Sequence, residues 1–359
     1  MRIQNFRNLN LIYYEARPGL NVFLGNNAQG KTSFLEGIYL LSRPVSFRPA
    51  KDFDLLQYDC RNFLLEARCE KEEAYKLSVK FDREKSRKEI FLNEKKIHYR
   101  DAHLLKVVLF TPDDLYLVKG SPAGRRRYLD FILCQLDAQY EKSFSEYQAL
   151  LKKRNLLIRG QQRKSPGFEA VNDLFIQTAA FLLWKRIQLA ARLDQMVQEI
   201  FRQVYPSEIQ LHLRYALSFP TEQGMAKQEL LAEGLKKQLQ AVGEREDLAL
   251  KTLAGPHLDD LNIYLNGRIA RSFASQGQQR SIAVTLKMAE VQIYEKIKGD
   301  YPVFLLDEVL SELDRSRQQL LFDWLKEAPF QSFLTAVNLD GIQFEDDIRI
   351  ARFENGQIL

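Results

Sequence analysis

The sequence lacks long apolar runs, and this absence excludes several classes of protein. Its apolar segments are short and interrupted, so none approaches the ~20 residues that a membrane-spanning helix needs. Residues 1–6, Met-Arg-Ile-Gln-Asn-Phe, contain no apolar signal core. These absences predict a soluble protein located in the cytoplasm.

Cysteine and histidine are also scarce. The 359 residues include only three cysteines and four histidines. Cys60, Cys69 and Cys134 are far apart and odd in number, and their spacing fits neither a disulfide framework nor a zinc site. We therefore expect a reduced protein without a structural metal site.

Positive charge is concentrated in one part of the chain. Residues 119–164 contain eleven Lys or Arg and four acids, a net charge of +7, which leaves −2 for the rest of a chain whose total is +5. Such a stretch is typical of a surface that binds a polyanion. A solvated helix face would have the same composition, so charge alone leaves both interpretations open.

The pattern of apolar residues divides the chain into three parts. Short alternating strands surround one helix up to about residue 110, helices dominate 125–249, and strands alternate with helices again after 252. The pattern predicts an α/β head made of residues 1–118 (lobe I) and 250–359 (lobe II), with a helical insert at 119–249.

The clearest helix of the insert is predicted over 168–204, ended by Pro206. Apolar residues recur there every seven positions, which favours a core stripe in a helical domain over a long coiled-coil arm. The stripe consists of Phe168, Phe175, Leu182, Leu189 and Met196.

Residues 25–32, Gly-Asn-Asn-Ala-Gln-Gly-Lys-Thr, match the P-loop pattern between a predicted strand and a predicted helix. Glycines let consecutive backbone N–H groups surround phosphates, at the positive end of the following helix. Lys31 supplies a positive charge to the phosphates, and the Thr32 hydroxyl ligates Mg²⁺. The motif predicts ATP and Mg²⁺ binding. The predicted ATP-binding residues are Gly25, Asn26, Asn27, Ala28, Gln29, Gly30, Lys31, Thr32 and Ser33.

A second motif follows the predicted strand 303–306. Asp307 and Glu308 come directly after this apolar segment, the arrangement of a Walker B strand. The first carboxylate would bind Mg²⁺ together with Thr32, and the second would polarise the attacking water. Glu308 and Lys31 are therefore the predicted catalytic residues.

A third motif determines the class of ATPase. Ser275, Gln276, Gly277 and Gln278 open a predicted helix about 30 residues before Asp307 and resemble the ABC ATPase signature. In that family the signature of one subunit completes the ATP site of another, which implies a two-fold dimer. Residues 311–314 resemble the family's D-loop, with Asp314 at the dimer seam.

Several further sequence motifs resemble those of the RecF family of bacterial recombination ATPases, which are related to SMC proteins. They occur in the same order as in that family and are spread along the whole chain. They are residues 109–113 (Leu-Phe-Thr-Pro-Asp), 120–130 with Gly120, Pro122, Arg125 and Tyr128, 153–155 (Lys-Arg-Asn), 255–260 with Gly255, His257 and Asp259, and 273–280 (Phe-Ala-Ser-Gln-Gly-Gln-Gln-Arg). The resemblance implies an SMC-like ABC-type ATPase head with a helical insert.

The resemblance also implies a function. Members of that family bind ATP with Mg²⁺, dimerise on ATP and bind duplex or single-stranded DNA. They hydrolyse ATP weakly and act with RecR and RecO to load RecA at gaps, within the SOS response. For this chain it implies a weak, DNA-stimulated ATPase. The expected DNA-binding residues are Arg125, Arg126, Arg127, Lys152, Lys153 and Arg154.

Some assignments stay open at this point. The switch histidine of transporter ATPases is missing, and either Thr335 or Asn338 would take its place as γ-phosphate sensor. His257 either contacts nucleotide or water, or is a turn residue. The arginines 125–127 either hold DNA phosphates or pair with acids of the insert. The rival functions are a transporter ATPase subunit and a DNA-binding scaffold that does not hydrolyse ATP.

Overall fold

A computed structural model of the chain divides it into two compact units, Met1–Asp114 with Tyr294–Leu359, and Leu115–Ile293. The structure describes residues 1–43, 45–70, 73–98, 105–204, 209–220, 227–344 and 348–359.

The first unit contains an antiparallel sheet with the strand order β2-β1-β4-β5-β6-β7. Alternating burial along β4 and β5 places Phe63, Leu65, Val79 and Phe81 in the core, as the alternating sequence pattern predicts. The strands are β1 (Arg2–Phe6), β2 (Leu9–Tyr13), β4 (Asn62–Cys69), β5 (Tyr75–Asp82), β6 (Arg87–Leu92) and β7 (Lys95–Ile97).

The same unit contains a second sheet with the order β15-β14-β3-β13-β12-β8, and its strands from β14 to β8 are parallel. Continuous apolar strands such as β12 and β13 are typical of parallel sheets, which are covered on both faces. The elements are β3 (Leu20–Leu24), α1 (Lys31–Ser42), β8 (Val107–Phe110), β12 (Val303–Leu306), α10 (Arg315–Glu327), β13 (Ser332–Ala336), β14 (Arg349–Glu354) and β15 (Gln357–Ile358).

The second unit is mostly helical. Its helices are α2 (Tyr116–Lys119), α3 (Pro122–Leu136), α4 (Ala138–Arg159), α5 (Pro166–Val204), α6 (Gln228–Ala241), α7 (Gly243–Ala249) and α8 (Ala270–Phe273), and the division into units falls within α9 (Gln276–Lys298). A three-stranded antiparallel sheet completes it, formed by β9 (Leu211–Ala216), β10 (Asp260–Leu265) and β11 (Arg268–Ile269).

The predicted stripe of α5 is a core stripe, as expected. Phe168, Phe175, Leu182, Leu189 and Met196 are all buried. Helix α5 packs against α4, α6 and β9, so both the helical hairpin and the small sheet depend on this apolar face. The predicted end of the helix at Pro206 lies outside the described residues.

The division into units differs from the predicted domain boundaries in two segments. Residues 115–118, predicted as the end of lobe I, begin the second unit. Residues 250–293, which the sequence pattern assigned to lobe II of the head, lie in the second unit. The physical reason is strand pairing, because β10 pairs along its whole length with β9, from Asp260 opposite Ala216 to Leu265 opposite Leu211.

Buried arginines hold the helices of the second unit together. Arg186 of α5 is 2% exposed and donates two hydrogen bonds to the Asp130 carboxylate of α3, at 2.7 and 2.8 Å. It donates a third to the Pro256 carbonyl oxygen at 2.6 Å. A buried guanidinium is stable only when its donors are paired in this way.

His257, whose role the sequence left open, belongs to this buried polar network. The Tyr147 hydroxyl donates to His257 Nδ1 at 2.6 Å, and His257 Nε2 lies 3.3 Å from the Thr252 carbonyl oxygen. Burial lowers the pKa of His257 to about 4. The imidazole is therefore a neutral residue that fixes the turn at 255–258.

This pKa predicts a pH-dependent stability of the second unit. Since the folded-state pKa lies below the unfolded value near 6.5, the stabilisation is complete above pH 6.5 and is lost as pH falls towards 4. We expect His257→Gln to flatten the loss of unfolding free energy in chemical denaturation between pH 7 and 4.5, by about 1–3 kcal/mol.

The matched control is Gln177→Ala, because Gln177 is exposed on α5 and carries no titratable group, so its substitution should leave the pH profile unchanged. An identical profile for His257→Gln and the unsubstituted chain would contradict the buried, neutral state of His257.

Candidate nucleotide site

The P-loop connects β3 to α1 through two glycines that no other residue could replace without strain. Gly25 and Gly30 have φ angles of 152° and 110°. A Cβ atom at Gly25 would lie 2.5 Å from the Phe353 carbonyl oxygen, and one at Gly30 would lie 2.6 Å from Leu9 Cδ2. The glycines are required because the loop turns sharply and packs closely against Phe353 and Leu9 of the same chain.

Residues outside the motif hold the loop in place, and sequence reasoning missed them. The Asn8 side chain donates to the Ala28 carbonyl oxygen at 2.9 Å and accepts from the Ser33 hydroxyl at 2.8 Å. The Gln29 carbonyl oxygen accepts from the Gly356 N–H at 3.1 Å. Asn8 directly follows an Arg in an ordinary hairpin turn, so the local sequence carries no signal of its contact with a loop 20 residues away.

Lys31 is the first residue of α1, and its side chain extends back into the P-loop. Its ammonium group donates to the carbonyl oxygens of Gly25 at 2.7 Å and Asn26 at 2.9 Å, and it lies 3.5 Å from Glu308 Oε1. The side chain is only 2% exposed. A buried cation enclosed by a glycine-rich turn at a helix start is suited to binding phosphate groups.

The Thr32 hydroxyl and the Asp307 carboxylate lie side by side, although 275 residues separate them. Thr32 Oγ1 donates to Asp307 Oδ1 at 2.9 Å. Burial raises the pKa of Asp307, and the hydrogen bonds from Thr32 and Thr335 oppose that shift. Two hard oxygen ligands from this pair fit Mg²⁺, which usually takes few protein ligands and completes its shell with phosphates and water.

Glu308 extends from the Walker B strand into a cleft of the same unit. Its φ angle is 52°, a left-handed conformation, and its side chain is 34% exposed. The cleft has a volume of about 320 Å³ and is also lined by Asn27, Ser311 and Asn338. Glu308 is thus accessible to water beside the P-loop, whereas Asp307 is buried.

The two candidate sensors differ in their surroundings. The Thr335 side chain is fully buried, and its hydroxyl donates to Asp307 Oδ1 at 2.9 Å. Asn338 lies two residues beyond β13 and lines the cleft with Glu308. Only Asn338 is therefore placed to meet a group bound in that cleft.

The signature residues form the start of α9 in the second unit. The Ser275 N–H donates to Gln278 Oε1 at 2.8 Å, and the Gln278 N–H donates to Ser275 Oγ at 3.3 Å. This reciprocal capping box orients the Ser275 hydroxyl at the N-terminus of α9, a helix of 23 residues. Gln276 and Gly277 follow in the first turn, where backbone N–H groups attract anions.

The D-loop aspartate caps a helix in the first unit. Asp314 is the residue before α10, and its carboxylate accepts from the Arg317 N–H at 3.1 Å and from the Ser316 hydroxyl at 2.7 Å. The side chain is about half exposed. Its second carboxylate oxygen pairs with the Arg317 guanidinium of the same helix.

The predicted DNA-binding arginines do not form one surface. Arg125 is 3% exposed and binds both oxygens of Asp260, at 2.7 and 2.9 Å. Arg154 is fully buried and binds both oxygens of Glu246, at 3.0 and 2.8 Å. The prediction is wrong for these two residues, because each guanidinium is buried against a carboxylate of its own unit.

The other four residues of that prediction are more accessible. Arg126 is partly exposed and donates to the Asp259 carbonyl oxygen at 2.6 Å. Arg127, Lys152 and Lys153 are exposed on α3 and α4. These three side chains remain candidates for contact with a polyanion.

Among the described residues, no helix combines the length and apolar character that crossing a bilayer requires. Within those same ranges, no group of three or more His, Cys, Asp or Glu side chains could hold a metal ion. A two-ligand site such as Thr32 with Asp307 is smaller than such a group.

A parallel sheet, a P-loop holding a buried lysine and a Walker B pair beside it are typical of P-loop ATPases, and the signature-like start of α9 is typical of the ABC type. The family profile described as RecF/RecN/SMC N terminal domain matches residues 1–357. The chain belongs to this family, and within it to the RecF proteins, as its curated relatives demonstrate.

Those relatives cover the whole chain. The DNA replication and repair protein RecF of Geobacillus thermodenitrificans (strain NG80-2) is 35% identical, over 100% of this chain and 98% of the relative. The protein of the same name from Heliobacterium modesticaldum (strain ATCC 51547 / Ice1) is 37% identical, over 100% and 97%. The resemblance to the RecF family is thereby confirmed.

Solved structures agree with the fold. The recombination mediator protein RecF-ATPrS in the RecFOR pathway superposes with a TM-score of 0.88 at 28% identity, over 99% of this chain and 96% of that one. An Smc head domain from Pyrococcus furiosus superposes with a TM-score of 0.59 at 15% identity, over 100% and 94%, and so supports the fold alone. The predicted fold class, an SMC-like ABC-type ATPase head, is confirmed.

The contacts of Asn8 generate a testable prediction. Asn8→Ala removes two hydrogen bonds that hold the P-loop, so we expect ATP to bind roughly tenfold more weakly in a fluorescent-nucleotide titration.

Asn10→Ala is the matched control. Asn10 is exposed on the same hairpin and contacts Gln57 instead of the P-loop, so its loss should leave ATP affinity unchanged. Equal affinities for the two variants would show that the Asn8 contacts do not order the loop.

Proposed function

We propose that this chain is an ATP-dependent DNA-binding protein of DNA replication and recombinational gap repair. The observation that carries the proposal is the arrangement of Lys31, Thr32, Asp307 and Glu308 around one P-loop, with the oxygens of Thr32 and Asp307 2.9 Å apart. Its RecF relatives and the ATP-bound RecF structures support it.

Each residue of the site has a distinct role in the proposed hydrolysis of ATP. The P-loop N–H groups and Lys31 bind and orient the β- and γ-phosphates. Thr32 and Asp307 would hold Mg²⁺, which would neutralise charge on the phosphate oxygens. Glu308, exposed in the cleft, orients and polarises the attacking water.

Completion of the site requires a second copy of the chain. Ser275 and the N–H of Gly277 would contact the γ-phosphate held by the partner subunit, and Asp314 would lie at the seam. ATP thereby closes a two-fold dimer over DNA, and hydrolysis opens it. The enzyme acts as a weak, DNA-stimulated ATPase whose hydrolysis resets a clamp.

The partners follow from the family. We infer that the dimer binds duplex or gap-junction DNA and single strands, and that it acts with RecO and RecR to help RecA load in the SOS response. The RecF structures named for the RecFOR pathway support this part of the proposal. The cytoplasm is the compartment where this DNA is found.

Substitution of Glu308 tests the role of hydrolysis. Glu308→Gln keeps the shape of the side chain but removes its charge, so ATP should bind and hydrolysis should fall by about a hundredfold or more. Light scattering with ATP and Mg²⁺ should then show a persistent doubled mass, which decays for the unsubstituted chain.

Glu327→Gln, an exposed acid at the end of α10, serves as a control with ordinary turnover. A Glu308→Gln protein that stays monomeric with ATP would refute the clamp. A Glu308→Gln protein that hydrolyses ATP normally would remove Glu308 from the mechanism. An unsubstituted chain without ATP turnover would favour the non-hydrolysing scaffold.

The exposed cations give a prediction for DNA binding. Replacing Arg127, Lys152 and Lys153 with Gln should lower the slope of log K against log salt concentration by about 2 to 3, because each phosphate contact releases roughly one counterion.

Lys95 and Lys96, on the β6–β7 hairpin of the first unit, provide a control for the loss of net charge. If the salt dependence is unchanged in the triple variant and reduced in the control, the DNA surface lies elsewhere.

A further inference from the structure

The Thr335 hydroxyl connects the two carboxylate residues of the Walker B motif. It donates to Asp307 Oδ1 at 2.9 Å, and the Glu308 N–H donates to it at 2.9 Å. Thr32 donates to the same Asp307 oxygen at 2.9 Å. One buried hydroxyl thus joins a metal-binding carboxylate to the backbone of the residue that faces the cleft.

The Thr335 hydroxyl acts both as a hydrogen-bond donor and as an acceptor. A threonine has one O–H donor and accepts through its lone pairs. Here the donor is used on Asp307 and one lone pair on the Glu308 N–H. Valine has the same shape but can do neither, and alanine and valine would both leave these two buried partners short of a hydrogen bond.

The bond to the Glu308 N–H falls at a strained position. Glu308 has φ of 52° and ψ of 23°, in the left-handed region that non-glycine residues rarely adopt. Such conformations persist only when surrounding contacts hold them, and they cluster at functional sites. From this backbone the Glu308 carboxylate enters the cleft and lies 3.5 Å from Lys31 Nζ.

Thr335 itself does not face the cleft. Its side chain is fully buried and, unlike Ala336, Val337 and Asn338, it is not part of the cleft lining. The residue therefore acts on a bound nucleotide only through Asp307 and Glu308.

We propose that Thr335 is a positioning residue for ATP hydrolysis, whose hydroxyl fixes Asp307 and Glu308 relative to each other. The proposal rests on the proposed function, since it assigns those two residues to metal binding and water orientation. The same hydroxyl holds the proposed metal-binding oxygen of Asp307 at a fixed distance from the backbone of Glu308, whose carboxylate orients the water. No proton or phosphoryl group passes through Thr335.

The test compares three variants with the unsubstituted chain. Thr335→Val removes the hydroxyl and keeps the shape, Thr335→Ser restores a hydroxyl, and Ser332→Ala removes a fully buried hydroxyl from the other end of the same strand. Thermal unfolding first establishes that each variant is folded. Should Thr335→Val not fold, Thr335→Ala carries the same expectation without adding a methyl group against the Asp307 oxygen.

Hydrolysis and nucleotide binding should respond differently. In single-turnover measurements Thr335→Val should hydrolyse ATP about a hundredfold more slowly, because small misplacements of reacting groups cost that much. Its affinity for ATP without Mg²⁺ should stay within about twofold, since Lys31 and the loop are untouched. Thr335→Ser should recover most of the rate, and Ser332→Ala should match the unsubstituted chain.

A measurement of Mg²⁺ dependence tests the proposal separately from hydrolysis. Thr335→Val should need about tenfold more Mg²⁺ for half-maximal ATP binding, because Asp307 loses one of its two orienting hydroxyls. A shift in Mg²⁺ requirement supports the positioning role even if the unsubstituted chain proves not to turn over, in which case only the proposed hydrolysis fails.

Two results would overturn the proposal. The first is a Thr335→Val protein with the rate and Mg²⁺ requirement of the unsubstituted chain. The second is a Thr335→Ser protein as impaired as Thr335→Val, since a hydroxyl at this position would then not be sufficient for the rate.

Discussion

The nucleotide site depends on the parallel pairing of β3, β13 and β12. In this sheet Leu24 lies opposite Ala336, and Leu334 lies opposite Leu306, so the carboxyl ends of the three strands meet at one edge. Ligand sites of open α/β sheets lie at such an edge, because the loops that leave adjacent strands are close together there. The P-loop, the Walker B pair and residues 335–338 leave the sheet at that edge, although more than 300 positions separate the first from the last.

That register explains how a few short bonds assemble the site. A slip of one residue in β13 would move Thr335 to the opposite face of the sheet, away from Asp307. The left-handed Glu308 and the two P-loop glycines then supply turns that regular strands cannot make. Buried apolar strands give the sheet its rigidity, and the site residues stand where those strands end.

Much of this site could be predicted from the sequence because its chemistry is local. The P-loop spacing, the apolar strand before Asp307 and the capped helix at Ser275 are each complete within a few residues. Elements with a strong period, such as α5 and its apolar stripe, were predicted for the same reason. The strand β12 has the predicted bounds.

What the sequence could not provide depends on contacts between distant segments. Arg125 and Arg154 stand in a basic stretch that suggests a DNA surface, yet each is buried because a carboxylate arrives from more than 90 residues away. Local charge therefore does not distinguish a buried ion pair from an exposed cation. Asn8 was missed, and Thr335 was considered only as a candidate sensor, for the same reason. The partners of Asn8 lie in the P-loop and α1, and those of Thr335 follow β12, so both sets are distant in sequence.

The pairing of β10 with β9 is also a contact between distant segments, and it places residues 250–293 in the second unit. Nothing in residues 260–265 indicates that their partner is a strand about 50 residues earlier, and the alternation after 252 looks like a return to the head. Pairing over the whole strand joins this segment to the helical unit. Contacts of this kind decide the division of a chain, and they become visible only in three dimensions.

The central claim is that one ATP site is made by two copies of the chain, and a mixing experiment tests it most directly. Lys31→Met should lose nucleotide binding and Ser275→Arg should lose the signature, so each variant alone should be inactive as an ATPase. In an equal mixture one site of each heterodimer keeps both an intact P-loop and an intact signature. Random pairing predicts recovery of roughly a quarter of the original rate. A mixture as inactive as its components, or full activity of Ser275→Arg alone, would contradict the composite site.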